Sequence, residues 1–322
     1  MAGGDIITVT ESDSFSAEEA HVEIVGTLTP SVSSARWSPD EELLVIVTGD
    51  AKVLFMSRTF DVITSATMGS DDLKLSKHVS VGWGKKETQF QGRGAKAAAR
   101  SHAGHNHGHG GGIIRDPTIP EKVDEGKLSK FDDGKKCSIS WRGDGAYVAV
   151  NFFSPEVNDG RRVIRVYNRD GELDSVSEPV DGLEGSLSWR PEGNLMAGIQ
   201  RLADRTDVVF FERNGLRHGQ FTLQLPMDQP DAVEDLALEW NADSTVLAVV
   251  MRDRVQLYTM GNYHWYLKQE IPVAEYAQVD KEQEKATLPW FSWHAEKPLL
   301  FAVAAVGMYQ TPSSFPVDFH RS

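Results

Sequence analysis

Histidines are the residues of this chain whose types and spacing come nearest to a chemical site. His102, His105, His107 and His109 fall within "SHAGHNHGHGGG". Alternating histidines in an extended segment put imidazoles on one face, a geometry suited to zinc, nickel or copper. The same composition describes a Gly/His-rich insert with no fixed geometry. The second reading is preferred, so these four stay as metal candidates and no cofactor is expected.

A second stretch, "GWGKKETQFQGRGAK" (82–96), mixes glycine and lysine as phosphate loops do. A P-loop needs glycine five residues before its Gly-Lys pair, followed by Ser or Thr. Here Val79 stands at the first place and Lys86 at the second. A dinucleotide fingerprint meets Ala97 where the third glycine belongs, and no βαβ pattern surrounds it. The stretch reads as strand and loop. Over 84–100, Lys85, Lys86, Arg93, Lys96 and Arg100 against one acid, Glu87, make a local cationic patch. Aromatic interleaving is thin, which argues against base stacking and for a solvated loop.

Cys137, the single cysteine, follows Lys135 and Lys136. Neighbouring lysines lower a thiol pKa only if the sulfur is exposed. The position, four residues before Trp141, suits a buried small hydrophobe better. The sequence holds no G-x-S-x-G, H-E-x-x-H or C-x-x-C motif. No nucleophile, base and oxyanion donor come together in it, so no catalytic or cofactor-binding residue is assigned and the chain is read as not an enzyme.

The formal net charge of −14 opposes bulk nucleic-acid binding. One cysteine allows no internal disulfide. The opening "MAGGDIITVTESDS" has neither the basic nor the apolar region of a secretory signal, and "LLFAVAAVGMY" (299–309) is too short to cross a bilayer. The expectation is a soluble protein of the cytoplasm, with the nucleus as a second location, that meets other proteins and no membrane.

Elements that would position such contacts are legible as a repeat. Five segments share one pattern: "ARWSPDEELLVIV", "ISWRGDGAYVAVN", "LSWRPEGNLMAGI", "LEWNADSTVLAVV" and "FSWHAEKPLLFAV". Their tryptophans are Trp37, Trp141, Trp189, Trp240 and Trp293. Three residues after each stands an acid: Asp40, Asp144, Glu192, Asp243 and Glu296. The residue two before each Trp is apolar and shares its face of a strand. Turn formers follow, with the acid expected to accept a backbone N–H and fix the bend. The apolar run after it reads as a strand buried on both faces. Asp170-Gly171, Asn214-Gly215 and Met260-Gly261-Asn262 then mark hairpins, the first two as turns with two positive-φ residues.

Each unit therefore counts four strands. Trp spacings of 48, 51 and 53 residues follow Trp141, the period of a β-propeller blade. The 104 residues between Trp37 and Trp141 hold either two periods or one period plus an insert. Trp83 in that gap would mark a degenerate blade. The expected fold is all-β, a WD40-like β-propeller of about five blades, as one partial domain over 1–322 with a flexible His/Gly-rich loop over 93–130. Residues 93–102 form the one short helix candidate, and 274–286 a charged loop.

Longer motifs carry a resemblance. "VSVGWGKKETQFQG" (79–92), "SWRGDGAYVAV" (140–150), "IRVYNRDGELDSVSEPVDGLEGSLSWRPEGNLMAG" (164–198), "DVVFFERNGLRHGQFTL" (207–223) and "GNYHWYLKQEI" (261–271) resemble the amino-terminal region of Elongator complex subunit 1. That family begins with two WD40-type propellers, the first of seven blades, ahead of a long helical region that dimerises. The resemblance implies a non-catalytic scaffold. It would hold the catalytic third subunit and the second propeller subunit in a complex that modifies wobble uridine 34 of transfer RNA, which the scaffold itself touches only indirectly. It also implies that the His-rich segment is foreign to the family motif and that the dimerising region lies outside this chain. One or two leading blades would be missing. A propeller opened in this way exposes sheet edges, and a marginal, aggregation-prone product is expected from it. The competing reading is a generic WD40 protein-interaction module unrelated to transfer-RNA modification.

Overall fold

The computed structural model describes residues 4–10, 21–29, 31–76, 124–225, 235–273, 289–304 and 313–316. The chain divides into two units, one of Met1–Ser76 with Glu125–Ser322 and one of Lys77–Asp124. Of the second unit only Asp124 is among the described residues. The histidines at 102, 105, 107 and 109, Trp83, the 82–96 stretch, the helix candidate at 93–102 and the charged segment at 274–286 all lie outside them.

A hairpin of β1 (Gly4–Thr10) and β2 (His21–Leu28) comes first. The sheet that follows is β3 (Val32–Trp37), β4 (Leu43–Thr48), β5 (Lys52–Ser57) and β6 (Val62–Thr67). The next is β7 (Ser138–Trp141), β8 (Tyr147–Phe153), β9 (Arg162–Asn168) and β10 (Leu173–Val176), then β11 (Leu183–Trp189), β12 (Leu195–Arg201), β13 (Thr206–Glu212) and β14 (Arg217–Thr222). After it come β15 (Ala237–Trp240), β16 (Val246–Val250), β17 (Arg254–Gly261) and β18 (His264–Pro272), and last β19 (Trp290–Trp293), β20 (Leu300–Ala304) and β21 (Ser313–Pro316). Within every sheet the spatial order is the chain order and all pairs are antiparallel.

First strands of successive sheets lie side by side: β3 by β7, β7 by β11, β11 by β15 and β15 by β19. Sheets stacked in this way, each a meander running outward from its first strand, are propeller blades. Among the described residues, the gap between Trp37 and Trp141 holds β4, β5 and β6, the remainder of one such sheet. Among the described residues between β6 and β7, no strand occurs.

Second strands explain why the stack coheres. On β4, Leu43, Val45 and Val47 pack with Ile139, Trp141 and Val148 of the next sheet. The intervening Leu44 and Ile46 pack with Ile6 and Leu28 of the first hairpin. On β16, Val246, Ala248 and Val250 face Trp293 and Phe301, while Leu247 and Val249 face Phe210 and Trp240. A strand of period two with both faces apolar belongs between two neighbours. Each fully buried Val or Leu contributes about 1.5–3 kcal/mol.

The hairpin turns differ from expectation. At Asp170-Gly171 and Asn214-Gly215 only the glycine has positive φ, 83° and 86°. Both turns close a three-residue loop, with Gly171 N donating to Asn168 O and Gly215 N to Glu212 O. An ordinary turn ending in one left-handed glycine suits that length. The two-residue loop with paired positive φ falls instead at Asn262 and Tyr263, 49° and 64°, between the paired Gly261 and His264.

Residues beside the undescribed 77–123 are fastened to the sheets. Arg165 Nε donates to Asp72 Oδ2 at 3.0 Å and its Nη1 to Asn158 Oδ1 at 2.9 Å. Arg162, fully buried, pairs with Asp132 and donates to Lys136 O at 2.7 Å. Asp181 Oδ1 accepts the backbone N–H groups of Glu125, Gly126 and Lys127 at 2.9, 2.7 and 2.9 Å.

Candidate functional site

Each repeat tryptophan is the last residue of the first strand in its sheet. Side-by-side first strands therefore bring all five to the same end. There, Trp37, Trp141, Trp189, Trp240 and Trp293 line one cavity of about 380 Å³, with Arg36, Pro39, Gly143, Pro191, Glu239 and His294 among its other walls. Four of these indoles are 2–9% exposed, whereas Trp37 is 39% exposed.

Two ladders of hydrogen bonds hold this end together. In the first, the residue before one tryptophan accepts from the tryptophan of the next sheet. Arg36 O takes Trp141 Nε1–H at 3.4 Å, and Ser140 Oγ takes the Trp189 backbone N–H at 2.8 Å. Ser188 Oγ takes the Trp240 N–H at 3.3 Å, and Glu239 O takes Trp293 Nε1–H at 3.2 Å. In the second, the turn after each tryptophan bonds to a turn of the next sheet. Arg169 Nη2 donates to Asp40 Oδ2 at 2.6 Å, Gly143 N to Pro191 O at 3.0 Å, Glu192 N to Ser244 Oγ at 2.7 Å, and Asn241 Nδ2 to Pro298 O at 2.9 Å. A Cβ at Gly143 would stand 2.7 Å from that Pro191 oxygen, so only glycine fits.

The turn acids divide. Asp40, Asp144 and Asp243 each accept the backbone N–H two residues on, from Glu42, Ala146 and Thr245 at 3.3, 3.0 and 3.2 Å. The Ser38 hydroxyl, with Arg169 also contributing, holds the Asp40 carboxyl down to about 2. Glu192 and Glu296 make no such bond among the described residues, which corrects the expectation for those two. The extra methylene of glutamate carries its oxygens past the adjacent N–H groups. At the fifth turn His294 Nδ1 accepts from the N–H of Glu296 and of Lys297 instead, at 3.0 and 3.1 Å.

Glu239 is the group at this cavity that the repeat pattern did not single out. Burial pushes its carboxyl up to about 7, against the opposing pull of Arg36. Among the described residues that carboxyl forms no hydrogen bond or ion pair, and neither does the Arg36 guanidinium. Trp240 Nε1–H is buried with no acceptor among the described residues. The signal was in the sequence: the residue before the tryptophan is serine in three units, and Arg36 and Glu239 are the departures.

A second cavity of about 40 Å³ lies by the opposite ends of the first strands, lined by Asp132, Lys136, Glu184 and Asp235 among others. Of these, Asp132, Lys136 and Glu184 are engaged within the fold. Lys136 Nζ donates to Leu236 O at 2.9 Å, and Arg201 Nε to Glu184 Oε1 at 2.6 Å. Burial lowers the Lys136 pKa and pushes the nearby Cys137 thiol up to about 12, away from nucleophilic use. Among the described residues, no cluster of His, Cys, Asp or Glu is placed to hold a metal ion, and no helix is long and apolar enough to cross a membrane.

With the cavity walled by indoles and prolines around one acid and one base, the arrangement suits binding. Comparison with known proteins agrees in fold. A family model described as the ELP1 first N-terminal β-propeller matches residues 1–296. The chain is 44% identical over 340 residues to Elongator complex protein 1 of Saccharomyces cerevisiae, covering 98% of this chain and 24% of that protein. It is 42% identical over 326 residues to the Schizosaccharomyces pombe protein of that name, covering 99% and 24%. Against the Rattus norvegicus protein the figures are 41% over 282 residues, 84% and 19%. The chain thus spans about a quarter or less of the length of these relatives.

Proposed function

Since the chain belongs to the Elongator complex protein 1 family, as its first β-propeller, we propose that it serves Elongator as a non-catalytic scaffold module. In this reading it supports modification of the wobble uridine of transfer RNA by presenting protein-binding surface. Its partners are the catalytic third subunit and the second propeller subunit, and its place is the cytoplasm and nucleus.

The observation that carries the reading is identity of 44% extending over 98% of the chain to a protein named for the complex. The site supports it. Indoles, prolines and a single unpartnered carboxyl form a recognition surface, and the net charge of −14 favours protein over nucleic-acid contact. The test is nucleoside analysis of transfer RNA from cells whose gene for this protein is deleted. Loss of the modified wobble uridines, restored by the intact gene, is expected. Unchanged wobble nucleosides would leave the generic interaction module as the better reading.

A further inference from the structure

We propose that the tryptophan-lined cavity is a socket for an arginine or lysine side chain presented by a protein partner, with the Glu239 carboxylate as its counter-ion. This concerns what the surface recognises and goes beyond membership of the complex.

Charge complementarity comes first. A carboxyl that is largely buried and accepts no hydrogen bond among the described residues is a cost that the pull of Arg36 offsets only in part. A cation in the cavity would relieve it, and unpaired buried acids in a cleft mark binding sites on that ground. The walls suit the same guest. Indoles attract guanidinium and ammonium groups through their π faces, Trp most strongly. Trp37 is the indole open to an incoming group, at 39% exposure. About 380 Å³ accepts one long side chain with its first waters. The chain's charge of −14 draws basic segments toward it.

The other charges narrow the guest. Arg36 is exposed on β3 and its charge already acts on Glu239, so it repels a polybasic tract and favours an acidic neighbour beside the entering cation. Arg190 stands 5.4 Å from the Trp240 ring centre, but its Nε is committed to Ser244 O at 3.0 Å. His294 Nδ1 accepts two backbone N–H groups, which leaves the ring proton on Nε2. A nucleic-acid phosphate would set its charge against Glu239. An Arg or Lys next to an acid, on a protein, fits all of these.

The test uses the purified full chain and a fluorescein-labelled Gly-Arg-Glu-Gly peptide, read by anisotropy at pH 8. Its citrulline counterpart has the same shape and no charge, and an oligouridylate serves as the nucleic-acid arm. No other Elongator subunit is present, so the result is independent of complex assembly. Saturable binding of the arginine peptide is expected, weakened about tenfold or more by citrulline. Glu239→Gln should weaken it as much, with circular dichroism unchanged, and Glu239→Asp should restore part of it. Absence of saturable binding at millimolar peptide, equal binding of the citrulline peptide, equal binding by Glu239→Gln, or binding of the oligouridylate in the peptide's place would each overturn the proposal.

Discussion

Trp293 Nε1–H donates to the backbone carbonyl of Glu239 at 3.2 Å. The residue whose carboxyl lines the cavity is therefore held in place by the sheet that follows it. Trp293→Phe keeps an aromatic ring and removes this donor. A loss of about 1 kcal/mol is expected, measured as a shift of the urea midpoint with an unchanged slope. A neutral result would show that the bond does not fasten the two sheets.

Glu239 should make the fold less stable as pH rises. Its carboxyl titrates near 7 when folded and near 4.5 when unfolded. Below about pH 4.5 both states are protonated and no penalty applies. Between 4.5 and 7 the unfolded chain releases its proton first, so stability falls. Above 7 the penalty is complete, roughly 3 kcal/mol. Glu239→Gln is therefore expected to melt higher than the parent at pH 8, with the gap shrinking toward pH 5. A pH-independent gap, or a destabilised variant, would contradict the burial of an unpaired acid. A gain on removing the group is what a residue kept for binding should give.

Ser140 and Ser188 act between sheets. Ser140→Ala leaves the Trp189 backbone N–H without its acceptor at a buried site. A loss of about 1–3 kcal/mol is expected, read by denaturant titration. Ser140→Thr retains the oxygen and should recover part of the loss. Equal stability of Ser140→Ala and the parent would mean that water serves that N–H equally well.

How much of this was legible depends on the range over which each feature is decided. The sheets were readable because a Trp, a bend and a two-faced apolar run lie within about a dozen residues, as from Ala35 to Val47. The shared cavity follows once those strands stack. Hairpin geometry departs from the Asp-Gly pattern because the loop at Asp170-Gly171 includes Arg169 as well. The role of Ser140 was hidden, since its partner lies 49 residues away. So was that of Glu239: lacking a partner is a property of the packed neighbours and not of any local pattern. Asp132 gave no signal either, because its partner Arg162 reaches it across 30 residues.

That last pair carries a prediction of its own. Both side chains are almost wholly buried, at 0% and 4% exposure. Asp132→Ala strands the Arg162 guanidinium inside the fold and is expected to cost about 3–5 kcal/mol. Thermal unfolding measures it, and a drop of only a degree or two would mean that water reaches the guanidinium.

Cys137 should resist alkylation. With its thiol pushed up to about 12 by burial, the native chain is expected to leave iodoacetamide unreacted at pH 8, and the urea-unfolded chain to react fully. Rapid labelling of the native protein, followed by mass spectrometry, would show an open and activated thiol instead.

The scaffold role is tested most directly by affinity capture of the full-length protein from cells, with the bound proteins identified by mass spectrometry. Recovery of the third and second Elongator subunits in near-equal amounts with it is expected. Their consistent absence, with the captured protein folded and abundant, would contradict it.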